Sequence, residues 1–289
     1  MTQRLQPDAL AYFAHDAAGN RTMMQDGSGA TYYAYDAINR LTEVLTHLFG
    51  GEDMSQRNVF YYDQASNLSC VRDPDLGLTY YEYDLLDRVT SVKNPFGEVT
   101  YYEYTPGGQV KQKILGNGTV SYYSYDAARR VSRIQHVKSD LTEIAALDYE
   151  YDRVGNPTKI TRADGSATYY SYDNIYQLTG ETQVGSGGVG YAFEYDYDGA
   201  HNRTLKVVDG VPTYYTYNAA NQLLTETAGG ETTYYHYDGC GNTVAKQEAA
   251  GTTYYRYNTE NLMTRIDFAA GGSSYYQYDA DSKRVSERT

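Results

Sequence analysis

The chain has 289 residues, of which 36 are tyrosine and none tryptophan, and a formal charge of −13. Leu, Ile, Val and Phe together number 49, few enough beside that charge to mark disorder unless tyrosine completes the core. The acidic balance disfavours nucleic acid and anionic lipid, no apolar run approaches the ~18 residues of a membrane helix, and no signal peptide is visible.

Read from the amino end, the chain repeats itself. A weak copy begins at Tyr12, and YYAYDAINRLTEV (32–44) returns as YYEYDLLDRVTSV (80–92), YYSYDAARRVSRI (122–134) and YYSYDNIYQLTGE (169–181). Further copies follow as YYTYNAANQLLTE (214–226), YYHYDGCGNTVAK (234–246), YYRYNTENLMTRI (254–266) and YYQYDADSKRVSE (275–287), with weaker ones at Val59, Tyr101, Asp148 and Glu194. Thirteen units, anchored on an Asp or its equivalent at 16, 36, 63, 84, 105, 126, 152, 173, 198, 218, 238, 258 and 279, fill a single array over 1–289. The period is 20 or 21, broken by insertions at 46–56, 136–146 and 183–192, all between units and expected to form loops. The GSGGVG of 185–190 reads as a flexible linker.

Within each unit the first element is a strand. The position before the anchor is Tyr in twelve units (Tyr35, Tyr83, Tyr104, Tyr125, Tyr172, Tyr217, Tyr237, Tyr257 and Tyr278 among them) and His15 in the first. Three before the anchor it is aromatic in all thirteen, as in Tyr33, Tyr81, Tyr102, Tyr123, Tyr170, Tyr215, Tyr235, Tyr255 and Tyr276. Two residues apart, these columns share one face of a strand and alternate with a polar column. In register, they form an aromatic ladder. Their hydroxyls need partners, which a water-lined lumen or polar side chains would supply.

A turn comes next. The anchor is Asp in ten units (Asp36, Asp84, Asp126, Asp173, Asp238 and Asp279 among them), and Asp starts turns by accepting its own downstream amides. Three residues on stands a turn-tolerant Gly or Asn in seven units. A donor follows at the fourth position, as in Arg40, Arg88 and Arg130, placed to bond back and close the loop. Thirteen copies of this pattern point to hairpins rather than to an active-site acid. The second strand has apolar residues five and eight past the anchor, as in Val89/Val92 and Val131/Ile134. That odd spacing calls for a bulge or for burial on both faces.

Thirteen strand–turn–strand units give about 26 antiparallel strands, an all-β strip too wide to stay flat. A uniform period coils such a continuous sheet into a spiral, solenoid-like hollow shell. The residues also carry a resemblance: repeats of this length with YxYDxxxR/N at the turn, such as YYEYDLLDRV, YYAYDAINRL and YDYDGAHNRT, resemble the YD (Rhs) repeats of Rhs proteins, Tc-toxin C components and teneurins. The resemblance covers essentially the whole chain. It implies a spiralling β-sheet enclosing a hollow shell, often around a toxic C-terminal domain. The family's self-cutting core segment has no counterpart before the chain stops at VSERT, so no self-cleaving residue is carried over.

Both ends fall within a repeat and lack a polar cap. The expectation is a piece of a longer protein, or sheet edges that pair with other copies and build a filament.

Little else suggests chemistry. The five histidines are scattered, Cys70 and Cys240 form no CxxC pair, and no phosphate loop or nucleophile elbow is present, so no enzyme, metal or cofactor is expected. Four sequons fall at Asn20, Asn67, Asn117 and Asn202. The column four before the anchor is Tyr in ten units and faces away from the other two. Its members Tyr32, Tyr80, Tyr101 and Tyr122 are candidate contacts for a glycan or, more simply, for a second layer or subunit. Three readings stand: an extracellular or cell-surface wall that self-associates, a carbohydrate-binding adhesive surface, and part of a cocoon around a toxin.

Overall fold

A computed structural model describes residues 2–5, 10–26, 29–48, 55–185, 187–279 and 281–289. Among them are 27 strands and no helix. Twenty-six of these are the two strands of each of thirteen hairpins; the other, Thr2–Leu5, precedes the first hairpin and pairs with Leu10–His15. The chain forms two units, Met1–Thr100 with Thr253–Thr289, and Tyr101–Thr252. In the first, strands from Thr2–Leu5 to Val89–Lys93 pair antiparallel in chain order, as do Met263–Asp267, Ser273–Tyr278 and Arg284–Arg288. In the second, the same antiparallel order runs from Val110–Ile114 to Thr243–Glu248.

Every hairpin carries the same irregularity. Tyr83 pairs with Val89 and Glu82 with Ser91, so Thr90 is skipped; Tyr125 pairs with Val131 and Ser124 with Arg133, so Ser132 is skipped. This bulge resolves the odd spacing. One extra residue brings positions five and eight past the anchor onto the face of the two tyrosine columns, so Val92 lies opposite Tyr81 and Ile134 opposite Tyr123. Burial on both faces is not needed.

The insertions at 136–146 and 183–192 lengthen hairpins instead of forming loops. Leu41–Leu48 pairs with Gln56–Tyr62 as far as Thr46 and Gln56, with 49–54 outside the described residues. Val131–Val137 pairs with Glu143–Tyr151, turning over 138–142. In the third insertion the strands Leu178–Gly185 and Gly188–Tyr197 likewise pair, Gly185 facing Gly188 and Val184 facing Val189. Residues added to both arms keep finding ladder partners, bonds that a free loop would forgo.

Side chains buried outright are few and mostly small, among them Ala11, Ala30, Ala146, Ala167 and Ala245. Of the two tyrosine columns only Tyr215 is fully buried; the others are half-buried.

Candidate functional site

The repeated turn is the most regular feature of the molecule. At Asp36 the backbone amide donates to Arg40 O at 2.9 Å, and the Asn39 amide returns to Asp36 O at 3.0 Å. The carboxylate closes the loop. Its Oδ1 accepts the amides of Ile38 and Arg40 at 3.0 and 2.9 Å, and Oδ2 accepts Arg40 Nε at 2.6 Å. Asp84 with Arg88 and Asp126 with Arg130 repeat the arrangement, Nε to Oδ2 at 2.8 and 2.7 Å. Asp173, Asp238 and Asp279 hold the corresponding amides of Gln177, Asn242 and Lys283. The position three past the anchor has positive φ in all thirteen units. Gly and Asn occupy it in seven; Ser66, Asp87, Arg129, Tyr176, His201 and Ser282 adopt the same left-handed backbone. These bonds pull the carboxyls of Asp36, Asp84 and Asp126 below their ordinary range. The Arg40 amide is the leading cause at Asp36, the Arg88 side chain at Asp84 and the Arg130 amide at Asp126.

The residue at the fourth position also reaches forward. Arg40 lies over the Tyr62 ring at 4.6 Å and donates to Ser66 Oγ at 3.0 Å; Arg130 lies over Tyr151 at 4.5 Å and donates to Asp152 O at 3.0 Å. At Asn20, Asn67 and Asn202 the Nδ2 bonds the left-handed residue of the next turn, as Asn20 to Asn39 at 2.8 Å and Asn202 to Asn221 at 3.0 Å. Three of the four sequon asparagines, Asn20, Asn67 and Asn202, therefore have their amides engaged. The same loop chemistry recurs on the opposite edge at Asn94, whose Oδ1 accepts the Phe96 and Glu98 amides.

The tyrosine before each anchor reaches backward. Tyr35, Tyr62, Tyr83, Tyr125, Tyr151, Tyr172, Tyr197, Tyr217, Tyr237 and Tyr278 each donate their hydroxyl to the carbonyl five past the preceding anchor, from Tyr35 to Arg21 O at 3.1 Å to Tyr278 to Met263 O at 2.8 Å. These hydroxyls are satisfied by backbone where the bulge interrupts the ladder, not by a water-lined lumen or polar side chains. The sequence contains the signal: three before the anchor Phe13 and Phe60 occur, but the position next to the anchor is never Phe.

The aromatic ladder is interleaved. Equivalent tyrosines of successive units lie two strands, about 9.6 Å, apart, too far for rings to stack. Val89 and Val92, or Val131 and Ile134, stand opposite them. Ring contacts instead run along a strand, as between Tyr149 and Tyr151 at 6.4 Å. The position eight past the anchor changes character in the second unit, from Ile134 and Ile160 to Glu181, Lys206, Glu226 and Lys246, each opposite a column tyrosine. Glu226 accepts the Tyr235 hydroxyl at 3.1 Å, and burial together with this carboxylate pushes that phenol up to about 12.

On the other face, Tyr32, Tyr80 and Tyr101 are 43%, 44% and 50% exposed, so the outer column is accessible; Tyr122 differs in being half-buried. Polar neighbours share this face, with Ser91 donating to Glu82 at 2.8 Å and Lys159 to Glu150 at 3.1 Å. Among the described residues no group of three His, Cys, Asp or Glu side chains is placed to hold a metal.

No protein-family model and no curated protein matches the sequence. Solved structures do match. The fold is similar to the crystal structure of TcdB2-TccC3-TEV, with a TM-score of 0.73 and 15% identity over 98% of this chain and 19% of that one. It is also similar to TcdB2-TccC3-Cdc42 (0.65, 17% identity, 96% and 18%) and to the Photorhabdus luminescens Tc holotoxin pore (0.57, 17% identity, 98% and 19%). The chain thus has the repeat fold of Tc-toxin chains whose shell is built from Rhs or YD repeats. It spans about a fifth of their length.

Proposed function

We propose that this chain is a non-enzymatic wall: a stretch of Rhs-type shell that works outside the cell or at its surface and associates end to end through its terminal strands. One observation carries the reading. The side chains that recur through most repeats, such as the carboxylate of Asp36, the Arg130 donor and the Tyr151 hydroxyl, are engaged in closing their own turn or tying it to a neighbour. Repeated chemistry thus serves to hold repeats together. The likeness of fold to Tc-toxin shell chains supports the same reading, and the chain's share of their length suits a segment of a toxin-enclosing cocoon.

Electron microscopy of the native protein with sedimentation over a range of concentrations tests the association. Filaments or concentration-dependent growth are expected. A strictly monomeric particle at every concentration removes end-to-end assembly from the proposal.

A second reading, a carbohydrate-binding face, is favoured by the exposure of Tyr32, Tyr80 and Tyr101 in one column. Glycan-array binding that vanishes when Tyr32, Tyr80, Tyr101 and Tyr122 become Ser, with the fold intact, would establish it. No such binding removes it.

A further inference from the structure

Arginine stands five residues past the anchor in three repeats, as Arg21, Arg203 and Arg284, where the others carry Leu, Val, Pro, Thr or Met. The bulge turns this position onto the face of the tyrosine columns. Arg21 sits there between two rings, 5.7 Å from Phe13 and 5.2 Å from Tyr33, and its carbonyl accepts the Tyr35 hydroxyl. Its guanidinium grips a carboxylate from 260 residues away. Nη1 and Nη2 bond the two oxygens of Asp281 at 2.6 and 2.9 Å. Asp281 is presented by a tight turn, two past the anchor Asp279, where its amide donates to the Asp279 carboxylate at 3.0 Å.

Arg203 is built into the same socket. Its guanidinium lies 5.9 Å from the Tyr195 ring and 4.7 Å from Tyr215, the rings equivalent to Phe13 and Tyr33, and its carbonyl accepts the Tyr217 hydroxyl at 2.9 Å. Among the described residues the Arg203 guanidinium has no ion pair, and its Nε is shielded from water without a hydrogen-bond partner. The acids on neighbouring repeats of the same face are held elsewhere, Glu181 by the Tyr191 hydroxyl and Glu226 by that of Tyr235. A partly desolvated guanidinium between aromatic rings is a strong receptor for a carboxylate, because its planar fork matches both oxygens and the rings exclude competing water.

We propose that Arg203, Tyr195 and Tyr215 form a binding site for the carboxylate of a tight acidic turn on a partner polypeptide. The turn at 279–283, seated in the sister socket, is the template for the occupant. The site does not depend on end-to-end association, which places the arginine in no role.

The test uses the full chain and a fluorescent peptide of its own residues 277–285 as probe, read by anisotropy and, for stoichiometry, by calorimetry. One site per chain is expected, since Arg21 is already filled by Asp281 and Arg284 pairs with Glu287. Arg203→Met keeps the volume and removes the donors, so affinity should fall at least tenfold. A peptide carrying Asp281→Asn should bind the unaltered protein at least tenfold more weakly. Unchanged binding by Arg203→Met or by the Asn peptide overturns the site, as does absence of binding at about 1 mM peptide. If Arg203→Met does not fold by circular dichroism, Arg203→Lys, which keeps the charge without the fork, replaces it, with a severalfold loss expected and unaltered affinity overturning the proposal.

Discussion

Replacing Tyr125 by Phe isolates the bond that ties one repeat to the one before it. The ring keeps its packing against Val131, and only the hydroxyl that donates to Val110 O at 2.7 Å is lost. A neutral hydrogen bond contributes about 0.5–1.5 kcal/mol net, and a buried carbonyl left without a partner raises the loss to about 1–3 kcal/mol. Val110 is half-buried and lies at the bulge opposite Tyr104, so a value near 1–2 kcal/mol is expected from that range. The control is Tyr122→Phe on the same strand, Val120–Tyr125, whose ring points to the other face. It should stay within about 0.5 kcal/mol of the parent, as surface changes away from such bonds do. Urea unfolding followed by circular dichroism measures both, and hydrogen exchange should show faster opening in Val110–Ile114 for Tyr125→Phe alone. Equal stability losses in the two variants would refute the role given to the hydroxyl. Combining Tyr125→Phe with Tyr172→Phe and Tyr217→Phe, in separate repeats, should add the losses.

Other outcomes follow from the same geometry. Tyr176, at φ 68 and 58% exposed, is a β-strand former in a left-handed position; Tyr176→Asn should raise the melting temperature, and a lower one would contradict the turn assignment. In alkali, burial raises the phenols of Tyr83, Tyr125, Tyr151 and Tyr172, and Tyr235 reaches about 12. Unfolded tyrosines ionise first, so this stability is whole below about pH 10 and is lost as pH rises towards 12, which a pH series of unfolding midpoints will show. In acid, the lowered carboxyls of Asp36, Asp84, Asp126 and Asp238 act in the opposite sense. Their contribution is present above about pH 4 and fades as pH falls through the folded values. With a thiol reagent, exposed Cys240 should react at once and buried Cys70, whose thiol burial pushes up, only on unfolding; two fast thiols would contradict the packing at Cys70.

Much of this was legible in the residues. Period-two alternation in YYxY forces a strand, Asp with a donor four residues on forces a closed turn, and Val89/Val92 encodes a bulge through a spacing no regular strand permits. The acceptor of the tyrosine hydroxyl was less visible, because it lies in the preceding repeat and depends on that repeat's own bulge; only the contrast between Phe-tolerant and Phe-free columns hints at it. The insertions misled for a different reason. Gly185 to Gly190 has linker composition, yet two arms of equal length find each other whatever their composition. Arg21 and Asp281 meet across 260 residues, a distance over which no local pattern operates; the substitution of Arg for an apolar residue was the one mark left in the chain.

The bonds between repeats have a direction. The hydroxyl of the tyrosine before the anchor, as at Tyr151, looks back to a carbonyl already made, while a donor such as Arg130 or Asn202 waits for the turn to come. A repeat leaving the ribosome therefore meets its predecessor in folded form and docks by local contacts, with no need for distant sequence. Growth by such steps has no built-in length. A gene encoding this design can gain or lose a repeat by duplication or deletion with little redesign of the junction, because the junctions draw on a small set of similar donors and acceptors.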